Sequence, residues 1–181
     1  MKKIIGIPAR MGSSRFPGKP LCKILGLTMI EHCYLRSKLS EKIDDVFVAI
    51  CDEELKNFCI KKNINYIMTD PTIPRPGLRV CEAAKSLDLD ENDIVITIQG
   101  DEPLINPKMI DQSIEPLLRD KNIYASNLCA IIKEKDLNDP NEIKVVCDNN
   151  MNAIYMSRSP IPSQFHEEKK TDWYKQVCVM P

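Results

Sequence analysis

Two short stretches carry side chains suited to chemistry on a phosphate. Residues 8–20, PARMGSSRFPGKP, follow the apolar run IIGI and set three cations, Arg10, Arg15 and Lys19, among Ser, Gly and Pro residues. Such a loop lets backbone N–H groups approach an oxyanion closely, while Arg supplies a planar fork of donors and Lys a point charge. Residues 99–103, QGDEP, follow the apolar run IVITI and put Asp101 at its tip. A carboxylate there is a hard oxygen ligand for Mg²⁺, an ion often shared with substrate phosphates. Each stretch also has a plainer reading: a solvated basic loop, and a turn in which Asp101 and Glu102 cap the next helix. Glu102 is assigned a supporting role. The basic stretch is neither GxxxxGK[ST] nor GxGxxG, which weighs against a GTPase or a dinucleotide oxidoreductase.

Composition bounds the setting of these residues. The chain has 181 residues, 43% of them hydrophobic and 28% charged, enough for one domain with a real core. A formal net charge of −1 gives no broad electrostatic case for nucleic acid or an anionic membrane, so positive charge matters only where it is local. The longest apolar runs are strand-sized, far short of the roughly 18–20 residues that span a bilayer, and no segment reads as a signal peptide. Eight cysteines include no CxxC pair, and two histidines are too few for a close-spaced zinc site. The thiols read as buried, reduced small hydrophobes and the compartment as cytoplasmic. His32 reads as a packing residue on a helix and His166 as solvated.

The elements that must position the candidate residues alternate between β-branched runs and segments of helical period, the pattern of an α/β domain with a largely parallel sheet. KKIIGIP is a first strand, and residues 28–39 have helical spacing. Residues 44–52 (DDVFVAICD) read as a second strand, EELKNFCIKKN as a helix and residues 65–68 as a third strand. TDPTIPRPG, residues 69–77, reads as a loop, with VCEAAKSL after it as a helix and Arg79 near its first turn. Residues 93–99 read as a central strand buried on both faces, and residues 107–120 as one helix with Pro107 in its first turn. YASNLCAII, IKVVCD and AIYMSR follow as strands, and YKQVCVMP as a last one. The Pro-rich loops at 71–76 and 160–162 read as covers over a site.

In open α/β sheets ligands bind beyond the carboxyl ends of the strands, where both chemical stretches fall. Together they suggest Mg²⁺-assisted nucleotidyl transfer. IPARMGSSRFPGKPL, the strand ending in QGDEP, and DPNEIKVVCDNNMNAIYMSRSPIP, set against the pattern NPNxVKVV followed by AxYxSRxxIP, resemble the CMP-sugar synthetases of the 3-deoxy-manno-octulosonate (KDO) cytidylyltransferase family. The three motifs run in order across almost the whole chain.

The resemblance implies a Rossmann-like α/β nucleotidyltransferase fold with a mostly parallel central sheet and flanking helices, here one cytidylyltransferase-like domain over residues 1–181. It implies a homodimer, a Mg²⁺ cofactor, and coupling of CTP to the anomeric hydroxyl of a 2-keto-3-deoxy sugar acid for cell-surface polysaccharide. By position, Arg10 and Lys19 would bind the CTP phosphates with Arg15 assisting, Pro8 and Ala9 would line the nucleotide pocket, and Gln99 would lie near nucleotide or sugar. Asp101 would bind Mg²⁺, and Arg158 would reach the sugar acid.

Three departures from the family pattern stand out. RPGLRVCEAA occupies the place of a SGTER or TGTDR stretch, with Arg79 replacing its arginine. KQVCVMP occupies the place of a HIGIYAY-like strand, with Gln176 where a sugar-contacting histidine is expected. The family's C-terminal portion, with a dimer-forming segment and a further Mg²⁺ ligand, is not in this sequence. Both substitutions fall on the sugar side, so the alternatives remain a nucleotidyltransferase for another sugar or nucleotide, and a catalytically idle nucleotide-binding module.

Overall fold

The computed structural model describes residues 1–12, 16–163, 172–177 and 179–180, the last pair by their backbone. The first strand, β1 (Lys3–Pro8), is buried from Ile4 onward, as a strand covered on both faces must be. After the basic loop comes a hairpin, β2 (Lys23–Ile24) and β3 (Leu27–Thr28), that sequence reading did not foresee. Its turn residues, Leu25 and Gly26, both take positive φ, the geometry that tight hairpins use. Helix α1 (Met29–Ser37) opens with a reciprocal capping box between Thr28 and Glu31. Then follow β4 (Asp45–Ile50), α2 (Glu53–Lys62), β5 (Tyr66–Met68), α3 (Pro76–Ala84) and β6 (Ile94–Ile98). Asn63 ends α2 in the left-handed region, with φ 54°.

The segment read as one helix over 107–120 is two, α4 (Pro107–Ser113) and α5 (Glu115–Arg119). Pro116 lies in the first turn of α5, where its missing N–H is tolerated, but it cannot continue α4. For the same reason α3 begins at Pro76, inside the stretch read as loop. The later strands are β7 (Cys129–Ile131), shorter than expected, β8 (Lys144–Cys147), β9 (Ala153–Ser157), β10 (Tyr174–Gln176) and β11 (Val179–Met180).

Two sheets organise these strands. The first has the order β11-β6-β1-β4-β5, in which β6, β1, β4 and β5 are parallel and β11 runs antiparallel on β6. Its register sets Ile5 beside both Val46 and Ile96. The second has the order β7-β10-β8-β9 and is antiparallel throughout. YKQVCVMP, read as one strand, therefore feeds both sheets: β10 belongs to the second and β11 to the first. The chain forms two compact units: residues 1–126 with β11, and a unit running from Asn127 through β10.

Packing on the parallel sheet explains its glycine. Helix α3 lies on β1 at Gly6, where a Cβ would sit 2.5 Å from Val80 Cγ1 and 2.9 Å from Phe47 Cζ. Ile4, Phe47, Ala49, Val80 and Ala83 form a buried cluster there, each large aliphatic side chain contributing about 1.5–3 kcal/mol of burial. The cysteines depart from expectation: all seven described thiols are free, but only Cys33 and Cys59 are buried, and Cys81 is exposed.

Candidate active site

The basic loop is tethered at several points to the parallel sheet. Pro8 ends β1, and Ala9 extends the ladder by donating its N–H to Ala49 O at 2.9 Å, which buries both residues and delivers Arg10 to the surface. Asp52, just beyond β4, accepts the Met11 N–H on Oδ2 at 2.9 Å. Gly18 N donates to Met11 O at 3.1 Å and closes the loop on itself. Gly18 has φ 72°, a conformation that favours glycine, and it turns the chain into a 3₁₀ turn that starts at Lys19. Arg15 lies outside the described residues, as does His166. The role of Asp52 was missed in the sequence, although an acid at a strand end is the signal that marked Asp101.

The acidic loop is pressed against the basic one. Gln99 follows β6 directly, and Gly100 has no room for a side chain, because a Cβ there would lie 2.7 Å from the Pro8 carbonyl oxygen. That approach brings Asp101 to Lys19, whose Nζ donates to Asp101 Oδ2 in a short ion pair. Both side chains are partly solvated, so the pair stabilises the fold by at most about 1 kcal/mol; its significance is placement. Helix α1 supports the acidic loop from below. Arg36 Nε donates to Ile105 O at 2.6 Å, the Glu102 N–H donates to Gln99 O at 3.3 Å, and the buried Cys33 thiol lies beside the Glu102 backbone. Burial pushes the Cys33 thiol up to about 12, so it supports the loop as a neutral group. Burial, then the neighbouring Asp101 carboxylate, raises the Glu102 pKa.

A cleft opens beside the end of β1, lined by Ala9, by Arg10, Arg75 and Arg79, and by prolines that include Pro8 and Pro74. Arg79 is only 3% exposed. Its guanidinium donates to Thr69 Oγ1, to Asp70 O at 3.3 Å and to Ile73 O at 3.1 Å, so it fixes the Pro-rich segment to the start of α3. Arg75, which the sequence reading left unassigned, stands at the N-cap of α3 and is exposed.

Two expected sugar-side residues lie in the second unit. Arg158 follows β9, is exposed and donates from Nη1 to Pro140 O. Gln176 ends β10, with its backbone N–H on Ile143 O at 2.8 Å. Between them in this unit lies a residue that sequence reading passed over. Lys144 is fully buried, and its Nζ donates to Asp139 O and Glu142 O at 2.8 Å and to Arg158 O at 2.6 Å. Three donors meet three carbonyls, which is what a buried ammonium without a carboxylate requires. His32 is a packing residue, its Nε2 2.8 Å from Ile24 O.

Among the described residues no three His, Cys, Asp or Glu side chains form a metal cluster. That is compatible with Mg²⁺, which commonly uses one or two carboxylates and takes its other ligands from water and phosphate. No helix among the described residues is long and apolar enough to cross a membrane.

A parallel α/β sheet with a basic loop beyond one strand and a carboxylate beyond its neighbour, held together by a lysine–aspartate contact, defines a nucleotide-site architecture. The sequence profile of a cytidylyltransferase family matches residues 4–179, and the chain belongs to that family. An 8-amino-3,8-dideoxy-manno-octulosonate cytidylyltransferase from Shewanella sp. (strain W3-18-1) is 42% identical over 164 residues, covering 90% of this chain and 67% of the relative. A 3-deoxy-manno-octulosonate cytidylyltransferase from Thermodesulfovibrio yellowstonii is 43% identical over 174 residues, covering 93% and 68%. The chain thus spans about two thirds of the length of these curated relatives. A solved CMP:2-keto-3-deoxy-manno-octonic acid synthetase complexed with CTP matches with a TM-score of 0.93 at 34% identity, covering 99% of this chain and 73% of that one. The expected mixed α/β fold, with a four-stranded parallel centre flanked by helices, is the fold observed.

Proposed function

We propose that this chain acts as a Mg²⁺-dependent cytidylyltransferase that joins CTP to the anomeric hydroxyl of a 2-keto-3-deoxy sugar acid and releases pyrophosphate. The contact between Lys19 and Asp101 carries the reading, because it unites a phosphate-seeking cation with a hard oxygen ligand at the ends of two adjacent strands. Family membership and the likeness to a CTP-bound synthetase support it.

In this reading Pro8 and Ala9 line the nucleotide pocket, while Arg10 and Lys19, with Arg15, neutralise the triphosphate. Gln99 faces nucleotide or sugar. Arg158 takes the sugar carboxylate in a bidentate contact, and Gln176 and Arg79 shape the sugar side. The sugar oxygen forms a bond to the α-phosphorus as the bond to pyrophosphate breaks in line with it, and the hydroxyl proton leaves to solvent. The protein's part is to align the partners and offset charge. Asp101 would hold Mg²⁺, which polarises phosphoryl oxygens and lowers the pKa of the attacking hydroxyl. A homodimer belongs to the same reading, and the exposed Ile154, Tyr155 and Met156 on the edge strand β9 support it.

The test is pyrophosphate release by the purified protein with CTP, Mg²⁺ and a panel of sugar acids that includes the octulosonate and its 8-amino form. Release with at least one sugar is expected, and absence with all of them sinks the proposal. Replacing CTP by UTP, GTP or ATP separates it from a transferase of another nucleotide. Asp101→Asn should lower turnover about a hundredfold or more with an unchanged fold, whereas an idle binding module would show no turnover to lose.

A further inference from the structure

The cleft beside β1 has an uncompensated charge. Arg10, Arg75 and Arg79 line it among Pro8, Pro74 and Pro76, and no Asp or Glu lines it. Among the described residues, the side chains of Arg10 and Arg75 have no hydrogen-bond or ion-pair partner, and the Arg75 backbone carbonyl accepts the Arg79 N–H at 3.2 Å. The bonds of Arg79 go to one hydroxyl and two carbonyls. Asp70 feels the charge of Arg79, but its Oδ1 accepts from Thr72 and makes no bond to the guanidinium. Three guanidinium groups in one cleft repel one another, and two of them keep all their donors free. The two exposed groups hold their donors for water or an anion, and a bound polyanion would relieve the repulsion among the three.

Arg75 is also pre-set for such a role. It precedes Pro76 and holds the extended backbone, φ −109° and ψ 135°, that a residue before proline prefers. Prolines on both sides limit the backbone entropy lost when its side chain is fixed by a ligand. A single carboxylate would satisfy one guanidinium fork, whereas a polyphosphate can satisfy several.

We propose that Arg75 is a phosphate-binding residue of the nucleotide site, engaging the triphosphate together with Arg10. This inference rests on the nucleotidyltransferase reading above. It adds a fourth cation to Arg10, Arg15 and Lys19, drawn from the stretch where this chain departs most from the family pattern.

The experiment is calorimetric titration of the whole protein and its Arg75→Gln variant with CTP and with cytidine, in the absence of sugar. Loss of one charge-assisted contact should weaken CTP binding about tenfold and leave cytidine within about twofold. Arg75→Lys should recover part of the CTP affinity, and the dependence of CTP binding on salt should be shallower in Arg75→Gln. Unchanged CTP affinity in Arg75→Gln, or an equal loss for CTP and cytidine, would overturn the assignment while the transferase reading stands. If the unaltered protein binds no CTP, both fall. Thermal denaturation of each variant shows whether the fold is intact, and an exposed side chain with no protein partner leaves little to disturb.

Discussion

Gly100 and Lys144 show how much depends on single side chains, one by absence and one by burial. Ala at position 100 would force its Cβ against the Pro8 carbonyl, a backbone group that cannot swing aside. Gly100→Ala is expected to destabilise the protein by about 1–3 kcal/mol and to loosen the Lys19–Asp101 contact. Chemical denaturation measures the first effect, and a fall in CTP affinity the second. Lys144→Met would keep much of the apolar stem but leave three carbonyls without their donor. It should cost about 3 kcal/mol, read in the same denaturation experiment. A change below a few tenths of that would show that water replaces the ammonium readily. Lys19 and Asp101 could be picked out from sequence because each follows an apolar run that could only be a buried strand. Lys144 could not, since its partners are carbonyls, including one at Arg158 fourteen residues away, that no side-chain pattern reveals.

Helix α1 bears the acidic loop, and its first turn is held by charge. Burial alone would raise the pKa of Glu31, but bonds from Lys62 and Thr28 hold it below the ordinary glutamate range. A depressed folded-state pKa contributes stability that is present above the unfolded value and lost as pH falls through the folded one. Denaturation midpoints measured between about pH 7 and pH 3 should therefore fall at the acid end, and Glu31→Gln should flatten part of that fall. At neutral pH the same variant should lose about 1 kcal/mol, the usual value of a cap. The capping box spells itself in the sequence as Thr, two residues, then Glu. Other boundaries were less visible. Helical period runs unbroken from 107 to 120, and only the ring of Pro116 shows where α4 must stop. The β2–β3 hairpin has two residues a strand, too few for alternation to be seen.

At the scale of the molecule, the α/β reading followed from apolar runs separated by helical segments, and the four parallel strands agree with it. The antiparallel sheet was harder to read. Its strands are short, and β9 is exposed along most of its length, so it lacks the buried period that marks a core strand. Likewise, nothing in YKQVCVMP signals a change of sheet, because pairing partners are set by distant segments and not by the run itself. Shortening the chain to end at Gln176 should leave β6 without its antiparallel neighbour. Amide exchange at Thr97, whose N–H faces β11 because that of Ile94 faces β1, is expected to quicken in that variant while Lys144 and Val145 keep their protection; equal exchange at Thr97 in both forms would show that β11 contributes nothing to the edge.

The position of β11 also bears on the order in which this protein can take shape as it is made. Strands β1, β4, β5 and β6 have all left the ribosome by residue 98, yet the strand that covers the free side of β6 arrives only at residues 179–180, after the whole second unit has emerged. During that interval β6 is a bare edge, the kind of surface that nascent chains of neighbouring ribosomes can pair with. Slower translation of residues 127–178 would lengthen the exposure, so synonymous codon changes in that stretch, which alter no residue at all, are a means of shifting the yield of correctly folded protein.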